Sequence, residues 1–396
     1  MTENVEFNSC GDTCKGVLTR PPGKSGDAPL VIMAGGWCYT KEIVMPWYGK
    51  YFEDLGCATL RFDYRRFGES TGEPRQHINP WDQIEDYRNA LSFAETLPGI
   101  DRKRTGIWGI SYSGGHVLVA AALDSRPAFA ISTIPVVDGF QTMRRCHGET
   151  RFAQLNRLLA EDRRERFHGE PSGRMPMSPE SPVSSNDQLT SWPFPHVYAG
   201  FKAIKEKEAP RHEHWNTIES VELLLQYNVA PFCERIVETP VMMTLAQADN
   251  ITSADLETQA FNAVTNPNKS LVSVSGVDHM SLYTNREHLG KVGKVQAAWL
   301  KNLLAGIDRR SCSDLVLIGG ARLAGKPPDR CNHWPSLRLH HVQSARGAGF
   351  WSCTFTNSAT MSPAAARHFA ATPDVGRFRD RSGHEPTGKT GCIGRE

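Results

Sequence analysis

The sequence predicts a protein of the α/β class, built on a doubly wound and mostly parallel sheet. Continuous apolar runs such as residues 29–34 (PLVIMA) are typical of parallel strands that are buried on both faces. These runs alternate with segments whose apolar residues recur at helical spacing, as in residues 84–97. In the stretch from Arg104 to Leu123, a short strand meets an alanine-rich helix across glycines. Together, these observations indicate strands joined by helices that cross over the sheet.

The first half of the chain is predicted to open with an antiparallel hairpin and then to alternate strands with helices. Asn79 caps a helix with Pro80 at its first position, a common helix start. The predicted elements are, in order, the hairpin Asn4–Phe7 and Lys15–Thr19, strand Pro29–Ala34, a helix near Pro46–Leu55, strand Cys57–Phe62, the helix after Asn79, strand Thr105–Ile110 and a helix from about Ser113.

The second half is predicted to contain a mostly helical insertion at residues 139–235, set between two strands of the same sheet. The predicted elements are strand Phe129–Ile134, helices Phe152–Phe167 and Trp215–Tyr227 around a Pro/Ser-rich loop at 171–195, a strand ending at Asp249, helix Ser253–Val264, strand Lys269–Ser275 and helix Leu289–Leu304. We therefore expect a core at 1–138 and 236–305, and an irregular extension at 306–396.

The position of the insertion predicts a lid, because ligands bind at the carboxyl ends of parallel strands. Aromatic residues of the insertion would line an apolar pocket if they face inward, although most are expected to form the lid's own core. The aromatic candidates are Phe140, Trp192, Phe194 and Tyr198.

The composition indicates a protein of the cytoplasm. Lysine and arginine total 45 against 43 aspartate and glutamate, which gives no reason to expect nucleic acid or a membrane surface as a partner. No signal peptide is visible at the start, and no run approaches the roughly 18 apolar residues of a membrane span. The ten cysteines lack paired spacing, which favours reduced thiols over disulfides.

Ser111 is the candidate nucleophile. It stands at the strand-to-helix turn in Gly109-Ile110-Ser111-Tyr112-Ser113, which resembles G-x-S-x-G with a serine in place of the second glycine. A serine at such a turn presents its hydroxyl at the top of a sheet. On this motif alone, an ordinary glycine turn after a buried strand is an equally good interpretation.

Asp249 and His279 are the candidate acid and base. Each follows a predicted strand, and with Ser111 they give the chain order serine, acid, histidine. Asp278 is an alternative acid, ranked below Asp249 because neighbouring residues usually point apart. Because all three residues follow predicted strands in this order, a catalytic interpretation of Ser111 is favoured over a structural one.

The backbone N–H groups of Trp37 and Tyr112 are the candidate oxyanion donors. The turn Gly35-Gly36-Trp37-Cys38 directly follows a buried strand, where such donors are found, although its glycines could serve only to turn the chain into a helix. Asp63 and Arg65 follow the next strand, and we expect them to stabilise their own loop.

We expect no cofactor and no metal. The sequence has neither a dinucleotide fingerprint nor a phosphate-binding loop. The extension contains cysteines and histidines whose spacing matches no zinc motif: Cys312, Cys331, His333, His340, His341 and Cys353.

The chain resembles the α/β-hydrolase superfamily, and more narrowly the fungal polyketide transferases and thiohydrolases of biosynthetic clusters. The matching blocks are VEFNSCGDTCKGVL, VIMAGGWCYTKE, LRFDYRRFGESTGEPR, WGISYSGGH and the acid and histidine loops, within about residues 5–304. The resemblance implies an α/β-hydrolase fold with a helical lid, Ser111, Asp249 and His279 as a triad, and residues 36–38 as an oxyanion loop. Gly35 departs from it, because many relatives have histidine there.

The resemblance implies acyl transfer from a thioester or ester on a small-molecule acyl substrate, which a carrier protein could present, to water or an alcohol. Two alternatives stay open. One is a general esterase, lactonase or peptidase that uses the same residues, and the other is a catalytically silent relative that binds an apolar ligand.

Overall fold

A computed structural model describes residues 1–23, 26–183 and 188–318, with the side chains of the last helix described as far as residue 307. Most of its strands belong to one eight-stranded sheet. In chain order the strands are β1 Thr2–Ser9, β2 Asp12–Thr19, β3 Ala28–Ala34, β4 Ala58–Phe62, β5 Ile100–Ile110, β6 Ala130–Thr133, β7 Arg174–Pro176, β8 Trp215–Thr217, β9 Val241–Ala246 and β10 Lys269–Val274.

The large sheet has the strand order β1-β2-β4-β3-β5-β6-β9-β10. Strands β1 and β2 form the predicted antiparallel hairpin, and β2 also pairs antiparallel with β4. From β4 to β10, every neighbouring pair is parallel. The predicted fold class is therefore confirmed, and the carboxyl ends of the parallel strands share one edge.

Helices cover both faces of this sheet. The described helices are α1 Met45–Glu53, α2 Pro80–Ala94, α3 Tyr112–Leu123, α4 Gly139–Phe167, α5 Pro195–Lys207, α6 Ile218–Leu225, α7 Ala230–Cys233, α8 Ala254–Ala263, α9 Ser281–Thr284 and α10 Arg286–Ile318. Adjacent residues of β5 point to opposite faces. The Trp108 side chain meets Tyr48 of α1 and Gln296 of α10, while Gly109 lies against Ser113 of α3.

The insertion differs from the prediction at three places. Helix α4 begins at Gly139, ahead of the predicted start at Phe152. Residues 215–217 form β8, paired with β7, instead of the start of a helix. The helix begins only after Thr217, whose hydroxyl caps the Ser220 N–H, and Trp215 instead lies under the guanidinium of Arg174. Helix α5 was not predicted, because its Pro195 was assigned to the preceding loop although proline is also common at a helix start.

The closing helix α10 begins at Arg286 and ends at Ile318, so it is longer than the predicted Leu289–Leu304. The rest of the predicted extension, with its cysteines and histidines from Cys331 onward, lies outside the described residues. Among the helices of the described part, none combines the length and the apolar character needed to cross a membrane.

Candidate active site

Ser111 lies in a strained turn between β5 and α3. Its φ of 58° is in the left-handed region, which non-glycine residues rarely adopt. Gly109 permits the turn, because a Cβ atom there would overlap the Ser113 backbone. The Ser113 hydroxyl points away from Ser111: it donates to the Ala34 carbonyl at 2.7 Å and lies 3.1 Å from the Tyr87 hydroxyl.

The three predicted side chains meet at the carboxyl edge of the sheet. His279 Nε2 lies 3.2 Å from Ser111 Oγ, and His279 Nδ1 lies 2.7 Å from Asp249 Oδ2. The side chains of Asp249 and His279 are almost completely buried. Since the carboxylate accepts at Nδ1, the neutral ring carries its proton there and leaves Nε2 free to accept the serine proton.

Asp249 is fixed as an anion. The backbone N–H groups of Ile251 and Thr252 donate to its Oδ1 at 2.8 and 2.9 Å. Burial alone would raise the pKa of Asp249, but the His279 ring and these N–H groups bring that pKa below its ordinary value. A charged acid at this position stabilises the imidazolium that forms when His279 takes up a proton.

Asp278 does not face the histidine ring. Its side chain is exposed, and Oδ1 accepts a hydrogen bond from the Ser281 backbone at 2.9 Å. The geometry therefore favours Asp249 over Asp278 as the partner of His279.

The loop after β3 approaches the nucleophile closely. A Cβ atom on Gly36 would lie 3.1 Å from that of Ser111, so only glycine lets the loop come this near without displacement. The indole of Trp37 packs edge-on against the Tyr112 ring, with 5.1 Å between centroids. At Gly35 a Cβ atom would lie 2.6 Å from that of Tyr39, so the loop has no room there for a side chain such as histidine.

Asp63 and Arg65 stabilise their loop. Asp63 accepts from the Lys41 ammonium at 2.8 Å and from the Glu69 N–H at 3.0 Å. The Arg65 Nε donates to Asp86 at 2.7 Å. These bonds match the structural role that was expected of both residues.

A small, mainly apolar cavity lies against Ser111 and His279. It encloses about 20 Å³, which is room for about one water molecule. The core and the insertion both contribute to its wall, which consists of Trp37, Tyr39, Ser111, Met177, Trp192, Val197, Phe201, Ile251, His279 and Met280. Access for a larger molecule requires this wall to move.

Trp192 is the one predicted pocket aromatic found in the cavity wall. Phe140 is exposed and packs on Phe152, whereas Phe194 packs on His196 and Tyr198 on His214. The sequence analysis missed Phe201, because α5 was not predicted. Its apolar residues Val197, Phe201 and Ile204 recur at helical spacing, and this pattern could have revealed the helix.

Among the residues that the structure describes, no group of three or more histidine, cysteine, aspartate or glutamate side chains could hold a metal ion. The arrangement that is present combines a hydroxyl, an imidazole and a carboxylate. Such a chain of groups can transfer a proton from the hydroxyl while the oxygen attacks an electrophilic carbon.

Comparisons with known proteins show what the whole chain is similar to. A family model described as X-Pro dipeptidyl-peptidase (S15 family) matches residues 11–280. The chain is 28% identical over 299 residues to a thiohydrolase of Aspergillus aculeatus, which covers 71% of this chain and 87% of the relative. It is 30% identical over 302 residues to a quorum-quenching protein of Acinetobacter baumannii, and the match covers 76% of this chain and 95% of the relative. A solved α/β hydrolase of Penicillium sp. sh18 superposes with a TM-score of 0.64 at 24% identity. The superposition covers 77% of this chain and 99% of that structure.

Proposed function

We propose, from the premise that the chain belongs to the X-Pro dipeptidyl-peptidase (S15) family, that it transfers acyl groups from a polyketide-type thioester or ester through a covalent intermediate on Ser111. The chain is an enzyme of the serine-hydrolase type, with relatives named as hydrolases and transferases. The observation that carries the proposal is the unbroken hydrogen-bonded chain from Ser111 through His279 to Asp249.

The proposed reaction begins when Ser111 Oγ attacks the acyl carbon and His279 Nε2 takes the serine proton. Asp249 keeps the ring oriented and stabilises its positive charge. The tetrahedral intermediate then collapses, and His279 returns the proton to the departing thiol or alcohol. Water or an acceptor alcohol then gives its proton to His279 and attacks the acyl-enzyme. When this second tetrahedral intermediate collapses, His279 returns the proton to Ser111 Oγ, and the acid or the new ester leaves.

The oxyanion of both tetrahedral intermediates would accept hydrogen bonds from the backbone N–H groups of Trp37 and Tyr112. The close approach of Gly36 to Ser111 and the contact between the Trp37 and Tyr112 rings support this assignment. Such donors contribute on the order of 3 kcal/mol each to the transition state.

The insertion at 139–235 is proposed to act as a lid. It supplies Met177, Trp192, Val197 and Phe201 to the wall of the cavity beside Ser111. Because this cavity has room for only about one water molecule, the insertion must open for substrate and close again for chemistry. Closure would limit hydrolysis of the acyl-enzyme and favour transfer to a bound alcohol.

A thioester or ester substrate fits this site better than a peptide. Removal of a dipeptide from a peptide chain requires a partner for the terminal ammonium group, since an unpaired charge is costly to bury. None of the described residues that line the cavity is acidic. The apolar wall instead suits a small-molecule acyl chain, which a carrier protein could present. The cytoplasm is the proposed location, in keeping with thiols that form no disulfide among the described residues, namely those of Cys10, Cys14, Cys38, Cys146 and Cys233.

Labelling with a fluorophosphonate tests the nucleophile. The native protein should be modified at Ser111, and Ser111→Ala should abolish labelling. Asp249→Asn should lower kcat on the order of 10⁴-fold, because the ring then loses its anionic partner. Asp278→Asn is the matched control, with kcat expected to stay within about twofold as for other exposed substitutions. A native protein that remains unlabelled would make the chain a silent binding relative.

Product analysis tests the substrate class. We expect mass spectrometry to detect the free acid from acyl thioesters of N-acetylcysteamine, and a new ester when an alcohol is added. An enzyme that labels at Ser111 but cleaves only simple esters would support the general esterase alternative.

A further inference from the structure

Three residues of the insertion hold the loop that carries one candidate oxyanion donor. We call His212, Trp215 and Asn216 the clamp. Asn216 Oδ1 accepts a hydrogen bond from the Trp37 indole at 2.9 Å, and His212 Nδ1 lies 3.0 Å from the Cys38 carbonyl oxygen. The Cys38 thiol also donates to the Trp215 carbonyl at 3.4 Å. The clamp therefore contacts a side chain, a peptide carbonyl and a thiol of two successive loop residues.

The donor and the acceptor of each hydrogen bond between these histidines and their partners follow from the Cys38 carbonyl. The Cys38 carbonyl can only accept, so His212 carries its hydrogen on Nδ1. His212 Nε2 must then accept from His214 Nδ1 at 3.2 Å, and His214 Nε2 accepts from the Ser178 hydroxyl at 2.6 Å. Both rings are thus neutral, and burial lowers the pKa of His212 to about 3 and that of His214 to about 4.

Asn216 is itself held rigidly within the insertion. It is completely buried, its amide nitrogen donates to the Thr217 carbonyl at 2.9 Å, and its Oδ1 also accepts from the Ser191 hydroxyl at 2.7 Å. Since both ends of the amide are fixed, the position of the Trp37 indole depends on where the insertion lies.

The loop needs such support because its backbone is strained. Cys38 has a φ of 60° without being glycine. This left-handed conformation costs a side-chain-bearing residue roughly 1–2 kcal/mol and persists only where surrounding contacts enforce it. Hydrogen bonds from the clamp hold both the thiol and the carbonyl of Cys38, so release of the insertion removes bonds that oppose the strain.

We propose that docking of the insertion assembles the oxyanion site, with Asn216 and His212 as positioning residues that act through Trp37 and Cys38. This inference rests on the proposed function and adds regulation of the same site. Gly36 adjoins Ser111, so a shift of residues 36–38 moves the Trp37 N–H away from the reacting carbon. Turnover then requires the docked insertion, and the open form has a disassembled oxyanion site.

The Trp37–Asn216 hydrogen bond can be removed from either side. Asn216→Leu deletes the acceptor, and Trp37→Phe deletes the donor but keeps a ring. His77→Ala is the matched control, because His77 Nδ1 lies 3.0 Å from the hydroxyl of the neighbouring Thr217 and makes a similar bond between core and insertion away from the loop. We would measure kcat and KM on a p-nitrophenyl ester, and Ki for an alkyl boronic acid that forms a tetrahedral adduct with the serine.

We expect each of the two variants to lower kcat by about 10- to 100-fold and to raise Ki by a similar factor, with KM within about threefold. The effect of the double variant on kcat should be clearly smaller than the product of the two single effects, because both substitutions remove the Trp37–Asn216 bond. His77→Ala should change all three constants by less than about threefold.

Other results would overturn the inference. These are a folded Asn216→Leu or Trp37→Phe protein with the kcat and Ki of the native enzyme, effects on KM alone, or effects that add in the double variant. If Asn216→Leu does not fold, the kcat and Ki of Trp37→Phe alone test the inference. A native enzyme that fails to react with a fluorophosphonate refutes the proposed function instead, which separates the two failures.

Discussion

Acidification is expected to unfold the protein because several histidines are held neutral in its interior. His116 is completely buried between the Tyr227 hydroxyl and the Gln83 side chain, each at 2.9 Å. Burial lowers its pKa to about 3. Burial likewise lowers the pKa of His212 to about 3 and those of His77 and His214 to about 4.

The sign of the effect follows from proton binding. An unfolded histidine has a pKa of about 6.5, so between pH 6.5 and pH 4 the unfolded chain binds protons that the folded protein does not. Stability is therefore full above pH 6.5 and is lost as the pH falls towards the folded pKa. Between pH 7 and pH 5 each histidine removes a little under about 2 kcal/mol of unfolding free energy, so the four together remove about 7 kcal/mol.

Glu257 opposes this loss. It is completely buried, and burial together with the nearby Asp249 charge raises its pKa well above the ordinary value. The folded protein therefore keeps that proton where the unfolded chain releases it, which offsets part of the stability that the histidines remove. The histidine contribution of about 7 kcal/mol is comparable to a typical stability of 5–15 kcal/mol, so the loss is large enough to measure.

Urea unfolding followed by circular dichroism at intervals from pH 7.5 to pH 5 measures this loss. His77→Gln should reduce the slope of stability against pH by about 1.4 kcal/mol per pH unit, the contribution of one proton. Unfolding free energies that stay constant or rise between pH 7 and pH 5 would refute the reasoning.

Four further predictions concern the fold and the acyl site. Gly109→Ala should prevent folding or abolish fluorophosphonate labelling, because the new methyl overlaps the Ser113 backbone; a folded variant with native labelling contradicts this. Gln296→Leu should cost about 1–3 kcal/mol of unfolding free energy in urea, because the buried Trp108 N–H loses its acceptor at 2.9 Å. Trp192→Ala should shift the preferred p-nitrophenyl ester towards longer acyl chains, since it removes an indole from the cavity wall; an unchanged preference contradicts this. Truncation after Ile318 should leave kcat/KM within about twofold, because the proposed triad lies within the residues that remain; loss of activity in a folded product contradicts this.

Local sequence patterns were sufficient to predict most strands of the large sheet. Strands such as β3 are buried along their whole length and consist of uninterrupted apolar residues, which few other structures require. Asn79 caps α2 as predicted, since its side chain accepts from the Trp81 N–H. The positions of Asp249 and His279 after their strands followed from the same register, because the carboxyl ends of parallel strands meet at one edge.

The insertion was harder to predict because its elements depend on contacts distant in sequence. Trp215 fits an amphipathic helix by periodicity, yet it pairs as a strand with Pro176 and packs on Arg174. The approach of Phe201 to the cavity depends on how α5 packs against the core. No local pattern relates Asn216 to Trp37, which is far away in the chain, so the clamp could be found only in the folded structure.

The serine that replaces the second motif glycine has a structural explanation at the same edge. A larger side chain at residue 113 would be forced into the space beside Gly109, whereas the serine hydroxyl donates to the Ala34 carbonyl and lies 3.2 Å from the Ile110 N–H. Tyr87 adds a bond of 2.7 Å to the Trp108 carbonyl. The ends of β3 and β5 are thus tied together directly behind Ser111. Strand β3 leads into the loop at residues 36–38, and β5 leads into Ser111. Ser113 therefore fixes the distance between this loop and the nucleophile from within the core. Asn216 holds the same loop from the insertion.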